Sequence, residues 1–218
     1  MKRAFTLAET LVTIGVIGIV AAMTLPTVIN KIQNKQYKVA YKKAYSALNQ
    51  AFLRMQANNE YISPSDSAHE YEFPDGDVGI VSPAIGENFK IISKYFKTTK
   101  TCFNNNADKC FECDGDAGLG LPGTNQRCYK KSYAFVDSGG MSWYLYSNQE
   151  YPIIVDVNGK KKPNKLGRDR FVMKFASNKD KKLNYTDNAD TIIPWDDHIE
   201  RSRWCPSGNC MYKSWLLD

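Results

Sequence analysis

Histidine is scarce in this chain, and its scarcity removes most of the usual reaction chemistry. The 218 residues include only two, His69 in a Ser/Glu-rich stretch and His198 beside Asp196 and Asp197. Neither stands in a nucleophile elbow, a metalloprotease helix or a phosphate loop, so the chain is read as non-enzymatic. A dense basic run with interleaved stacking aromatics is missing too. The 29 Lys and Arg outnumber the 23 Asp and Glu for a formal charge of +6, but they are scattered, which leaves no clear nucleic-acid signal. Zinc sites built on cysteine knuckles need a second knuckle or a spaced His pair, and only Cys110-x-x-Cys113 is present. A thioredoxin-like use of that knuckle lacks its βαβ setting. The absence that decides the class is charge itself: between Glu9 and Lys31 there is none.

Residues 10–30 are 21 uncharged, mostly apolar positions. At about 1.5 Å per residue they form a helix about 30 Å long, enough to cross a bilayer. Lys2 and Arg3 precede the run, and the positive-inside tendency then keeps Met1 cytoplasmic and sends everything after Ile29 outward. Two ordinary explanations exist. A secretory signal would be cut after small residues such as Val20-Ala21-Ala22, and a plain signal anchor would not be cut. Both leave Glu9 unexplained, because a carboxylate at the start of an apolar helix costs on the order of 3 kcal/mol toward the bilayer centre and usually marks function.

The sequence Lys2-Arg3-Ala4 followed by Phe5-Thr6-Leu7-Ala8-Glu9-Thr10-Leu11-Val12 resembles the cleavage and methylation motif of type IV prepilins and type II secretion pseudopilins. The resemblance implies a prepilin peptidase that cuts between Ala4 and Phe5 and methylates the new amine. Ala4 stands where that family usually has glycine. Cleavage would create a cation at Phe5 one turn from the Glu9 anion, and in a low-dielectric setting each seeks a partner. A neighbouring copy shifted along the axis would offer its Phe5 amine to this Glu9, fixing the register of subunits in a filament. Pro26 removes one helix hydrogen bond late in the run, so a kink or local melt is expected there; many pilins carry a proline at the matching place.

After Lys31 the helix pattern continues with one apolar stripe: Tyr37, Tyr41, Ala44, Leu48, Ala51, Phe52 and Met55, opposed by Lys35, Lys38, Lys42, Lys43, Gln50 and Arg54. A single helix is predicted over about residues 8–58, ended by Ala57-Asn58-Asn59 and Pro64. Residues 63–77, rich in Ser, Asp, Glu and Pro, read as an exposed loop. A second short helix is expected over 87–96, where Phe89, Ile92 and Phe96 share a face. Strands are expected over 132–136, 143–147, 153–157 and 170–175, separated by turns such as Ser138-Gly139-Gly140 and Asn158-Gly159. Their close spacing favours an antiparallel meander packed on the helix stripe.

Six cysteines, Cys102, Cys110, Cys113, Cys128, Cys205 and Cys210, in a chain that reads as exported point to disulfides over zinc. Fifteen full pairings exist and the sequence does not choose among them. Cys205 and Cys210, bridged by Pro-Ser-Gly-Asn, form the best local pair. The other four bracket a Gly-, Asn- and Asp-rich loop that needs crosslinking to be rigid. Some pseudopilins hold calcium in their β-region, which draws attention to Asp156, Asn158, Asn164 and Asp169. An EF-hand-like loop would need its bidentate Glu at Gly167, and Lys160, Lys161 and Lys162 intervene, so Asn158-Gly159 is read as a turn and no cofactor is expected.

The fold expected is therefore α+β and pilin-like: a long N-terminal helix packed on an antiparallel sheet with a disulfide-tied head. The chain divides into a leader over 1–4, a transmembrane and polymerisation half over 5–30, an amphipathic half over 31–58 and an exported head over 59–218. By that resemblance the chain is a minor pilin or pseudopilin, since the head is large for a main-shaft subunit. It would reside in the bacterial inner membrane, with a cytoplasmic N-terminus, and then in a filament. Its partners would be prepilin peptidase, other pilins or pseudopilins, and an inner-membrane assembly platform with its ATPase. Two alternatives are a displayed adhesin or DNA-uptake module, favoured if Trp195, Trp204, Tyr212 and Trp215 are exposed, and a monomeric signal-anchored exported protein.

Overall fold

The apolar run and the stripe that follows it form one helix. The computed structural model describes residues 6–62, 69–72, 78–81, 83–103, 106–113, 133–145, 153–176, 191–194 and 212–216. Helix α1, Leu7–Ala57, is 51 residues long, or about 75 Å at the usual rise. It ends at Asn58, whose N–H reaches the Arg54 carbonyl, and Asn59 follows in the left-handed region at φ 54°, a conformation asparagine tolerates better than most residues. The helix passes Pro26 without interruption. Of the kink or local melt expected there, the melt is absent: proline removes one donor, and the flanking turns of the helix persist around the gap.

The stripe is buried as its spacing requires. Tyr41, Ala44, Leu48, Ala51, Phe52 and Met55 are buried and Tyr37 is half-buried. They lie on a six-stranded antiparallel sheet whose order follows the chain: β3 (Thr98–Cys102), β4 (Tyr133–Asp137), β5 (Ser142–Leu145), β6 (Ile153–Asp156), β7 (Arg170–Ala176) and β8 (Thr191–Pro194). The meander is as expected, with two more strands than the four predicted. Strand β3 was not anticipated because an edge strand reading Thr-Thr-Lys-Thr keeps three of its residues exposed and so lacks apolar alternation. Strand β8 is short, four residues ending in Pro194. The stretch read as an exposed loop also contains structure: β1 (His69–Glu72) pairs antiparallel with β2 (Val78–Val81), a hairpin concealed by the polar sequence of its first strand. Helix α2, Pro83–Lys94, begins earlier than expected because Pro83 sits in its first turn, where a missing N–H costs nothing.

The sheet is covered on both faces, which explains why β5 and β6 are buried at every position. On one face Phe171 meets Tyr41 at 4.5 Å between ring centroids, and Phe135 and Trp143 meet Phe96 at 5.2 and 5.0 Å. On the other face the segment 106–113 lays the buried Phe111 on Tyr144, centroids 5.0 Å apart. That segment includes a 3₁₀ turn, Ala107–Lys109. Its attachment is covalent and polar: Cys102 and Cys110 form a disulfide, while the Arg170 guanidinium lies 4.5 Å over the Phe111 ring and donates to the Glu112 carbonyl at 2.8 Å.

Three polar clamps complete the head. Asn88 on α2 accepts from the Ile62 N–H at 2.9 Å and donates to its carbonyl at 2.7 Å, fixing the exit from α1. Asp137 closes the β4–β5 turn by accepting from the Gly139 and Met141 N–H groups and from the Trp143 indole. Tyr212, in the 3₁₀ turn Tyr212–Leu216, is fully buried; its hydroxyl accepts from the Val172 N–H at 2.8 Å and donates to the Val172 carbonyl at 2.9 Å. The β7–β8 ladder ends at Met173 and Pro194, so Tyr212 serves the next backbone pair as a strand would.

Candidate functional site

The first half of α1 has no counterpart to the packing seen in the second. Leu11, Val12, Ile14, Val16, Ile17, Ile19, Val20, Met23, Leu25, Val28 and Ile29 are all exposed. The helix is long and apolar enough to cross a membrane. So much apolar surface is not stable in water on one molecule, and it needs lipid or other protein around it.

Glu9 opens this segment, and the sequence reading missed how. Thr6 is the N-cap and Glu9 the third helical residue: Glu9 N donates to Thr6 Oγ1 at 3.2 Å, and Glu9 Oε2 accepts from the Thr6 N–H and hydroxyl, both at 2.9 Å. This is a capping box, and its signature Thr-x-x-Glu before an apolar run was legible in the chain. It satisfies hydrogen bonds but leaves the negative charge. Among the described residues no cation pairs with Glu9. Ala4 and Phe5 lie outside the described residues.

The head's candidates divide differently. Asp156, Asn158, Asn164 and Asp169 do come together, around the loop that joins β6 to β7. The oxygens of the two aspartates are engaged by the protein, whereas Asn158 Oδ1 is buried with no hydrogen-bond partner among the described residues. Asp156 Oδ2 accepts from Arg170 Nε at 2.7 Å, with both side chains buried. Asp169 accepts from the Asn164 and Lys165 N–H groups and from the Asn158 amide, at 2.8, 2.7 and 3.1 Å. The network assigns the Asn164 amide nitrogen to Asp156 Oδ2 and the Lys161 carbonyl. Burial pushes the Asp156 carboxyl up to about 7, against the pull of the Arg170 guanidinium. Among the described residues no three His, Cys, Asp or Glu side chains gather as a metal site. Asn158-Gly159 makes the turn its sequence suggests, with Gly159 at φ +74°; a Cβ there would stand 2.7 Å from the Gly140 carbonyl oxygen.

Cys110 bonds Cys102, so the Cys110-x-x-Cys113 knuckle does not present two thiolates, and Cys113 is disulfide-bonded as well. Cys128, Cys205 and Cys210 lie outside the described residues, as do His198, Trp195 and Trp204, while His69 opens β1. Tyr212 is core, and Trp215 is half-buried against Tyr41 and Phe171, so these two aromatics do not supply an exposed binding face.

No family pattern, characterised protein or solved structure matches the chain. Fold and surface define a class: an α+β head carried on a helix whose projecting half is suited to a membrane.

Proposed function

We propose that the chain is a pilin-like subunit, a minor pilin or a pseudopilin, held in the bacterial inner membrane by residues 10–30 and assembled into a filament through the same surface. One observation carries the reading: a single unbroken helix is exposed and apolar over one half, seated on a head over the other, and opened by one acid with no cation beside it among the described residues. Prepilin peptidase would remove residues 1–4, and the assembly platform and its ATPase would move the helix from lipid into a bundle of like helices. There the Phe5 amine of one subunit would neutralise Glu9 of the next. More cations flank the span on the head side, Lys31, Lys35 and Lys38, than in the leader, Lys2 and Arg3. Length sets the orientation in this account, because long segments cross largely regardless of their charge.

The capping box favours one other reading. A helix start satisfied by its own Thr6 also suits a monomeric signal-anchored protein. Mass spectrometry of the mature N-terminus separates the two: an N-methylated Phe5 is expected, and a start at Met23 or a retained Met1 overturns the proposal.

A further inference from the structure

The loop joining β6 to β7 hangs from the membrane end of the head. Arg168 Nη2 donates to Asn30 Oδ1 at 3.1 Å, and the Asn158 amide donates to the Tyr37 hydroxyl at 3.3 Å. The loop thus spans about two turns of α1 directly after the apolar run, roughly 10 Å along the axis. Asn30 is the last uncharged residue of that run, so the Arg168 guanidinium lies at the level where a spanning helix would leave the hydrocarbon.

Among the described residues, exposed charge on this collar has one sign. Lys161, Lys162 and Lys165 are exposed on the loop, and Lys31 and Lys35 are exposed on the adjoining helix. The described acids of the loop are withdrawn: Asp169 and Asp156 are fully buried, the first held by backbone N–H groups and the second by Arg170. From Thr10 to Asn59 the helix and its cap contain no Asp or Glu at all. Lys160 is not part of the collar, since it turns to the Asp108 carbonyl at 2.9 Å and the Glu112 carboxylate at 3.6 Å.

We infer that Lys31, Lys35, Lys161, Lys162, Lys165 and Arg168 form a cationic collar that seats the waiting subunit on anionic phospholipid headgroups. The inference rests on the reading of residues 10–30 as a membrane span. A cation within a Debye length of an anionic surface gains about fivefold in local association, and the gain is screened by salt. A nucleic acid is the weaker candidate for the same charges, because Trp215 and Tyr37, the described aromatics beside the collar, are half-buried and do not offer stacking faces.

The test reconstitutes the full chain in phosphatidylcholine vesicles and measures, by electron spin resonance, how strongly spin-labelled phosphatidylglycerol is immobilised at the protein relative to spin-labelled phosphatidylcholine. The parent should prefer phosphatidylglycerol severalfold at low salt, and the preference should fall toward one in the Lys161→Gln/Lys162→Gln/Lys165→Gln variant and in high salt. Removing equal charge far along the head, with Lys94→Gln/Lys97→Gln/Arg54→Gln, should leave it intact. Protease protection of residues 10–30 is read in the same vesicles. Inserted protein without lipid preference, or with the same preference in both variants, overturns the collar alone. Protein that fails to insert overturns the membrane reading beneath it. Duplex DNA binding that is lost with the loop lysines while lipid preference stays at one would assign the charges to nucleic acid instead.

Discussion

Asp156 in the head and Glu9 at the tip of α1 are both carboxylates in apolar surroundings, and the chain treats them in opposite ways. Asp156 lies beneath the segment 106–113 with the Arg170 guanidinium 2.7 Å away, and the pair ties two strands to the lid above them. Glu9 has hydrogen bonds from Thr6 and no cation among the described residues. A buried charge is tolerable when its countercharge is built in; a charge on an otherwise greasy rod must find one elsewhere or stay at the water boundary. The contrast separates a head whose described core supplies its own countercharge from a helix half that does not.

Removing the built-in partner should have the largest effect. Above about pH 7, where Asp156 is ionised, Arg170→Met leaves it buried without a countercharge and should cost about 3–5 kcal/mol of head stability, read as a lowered denaturation midpoint. A further Asp156→Leu change in that variant should restore most of the loss; no recovery would mean that Arg170 acts through its stacking on Phe111 alone. Next comes the difference between the two halves of α1. Leu48→Ala should cost about 2–5 kcal/mol, because the site is fully packed. Ile17→Ala, whose side chain touches no part of the head, should leave the midpoint of the head within about 0.5 kcal/mol of the parent. A large loss from Ile17→Ala would erase the division drawn between the halves.

A titration sharpens the comparison further. Burial raises the native Asp156 carboxyl from 3.8 to about 7, so between about pH 4 and 7 the folded chain keeps a proton that the unfolded chain has released. That contribution to stability is complete below about pH 4 and is lost as pH rises through about 7. Asp156→Asn removes the titration. Its thermal midpoint should therefore rise relative to the parent from pH 4 to pH 7; a fall relative to the parent over that range would show that Arg170 outweighs burial.

What the sequence displayed, it displayed through periodicity. The α1 stripe, the strands rich in aromatic and branched residues, and the Gly turns are all governed by spacing along the chain, and they stand where spacing put them. What stayed hidden depended on partners distant in sequence or on residues with two meanings. Thr-Thr-Lys-Thr forms an edge strand only because β4 is there to pair with it. The pairing of Asp156 with Arg170 spans a loop whose closure no local pattern announces, and the same carboxylate read as a calcium candidate. Phe111 was lost among the Gly, Asn and Asp of its loop, although it is the residue that seats that loop on the sheet. Glu9 was legible twice, as a lone membrane acid and as the fourth residue of a capping box, and the first meaning obscured the second.

Those two meanings of Glu9 can be pulled apart in one variant. Glutamine also closes a capping box, so Glu9→Gln keeps the helix start and removes only the charge. If the account is right, Glu9→Gln subunits insert in the membrane and carry a head of parental stability, yet filament yield falls by on the order of tenfold or more, as expected when an ion pair in low dielectric is lost. Filaments from Glu9→Gln in parental amount and with parental axial spacing, alongside a Glu9→Ala variant that fails, would show that the residue matters for its cap and not for a neighbour's amine.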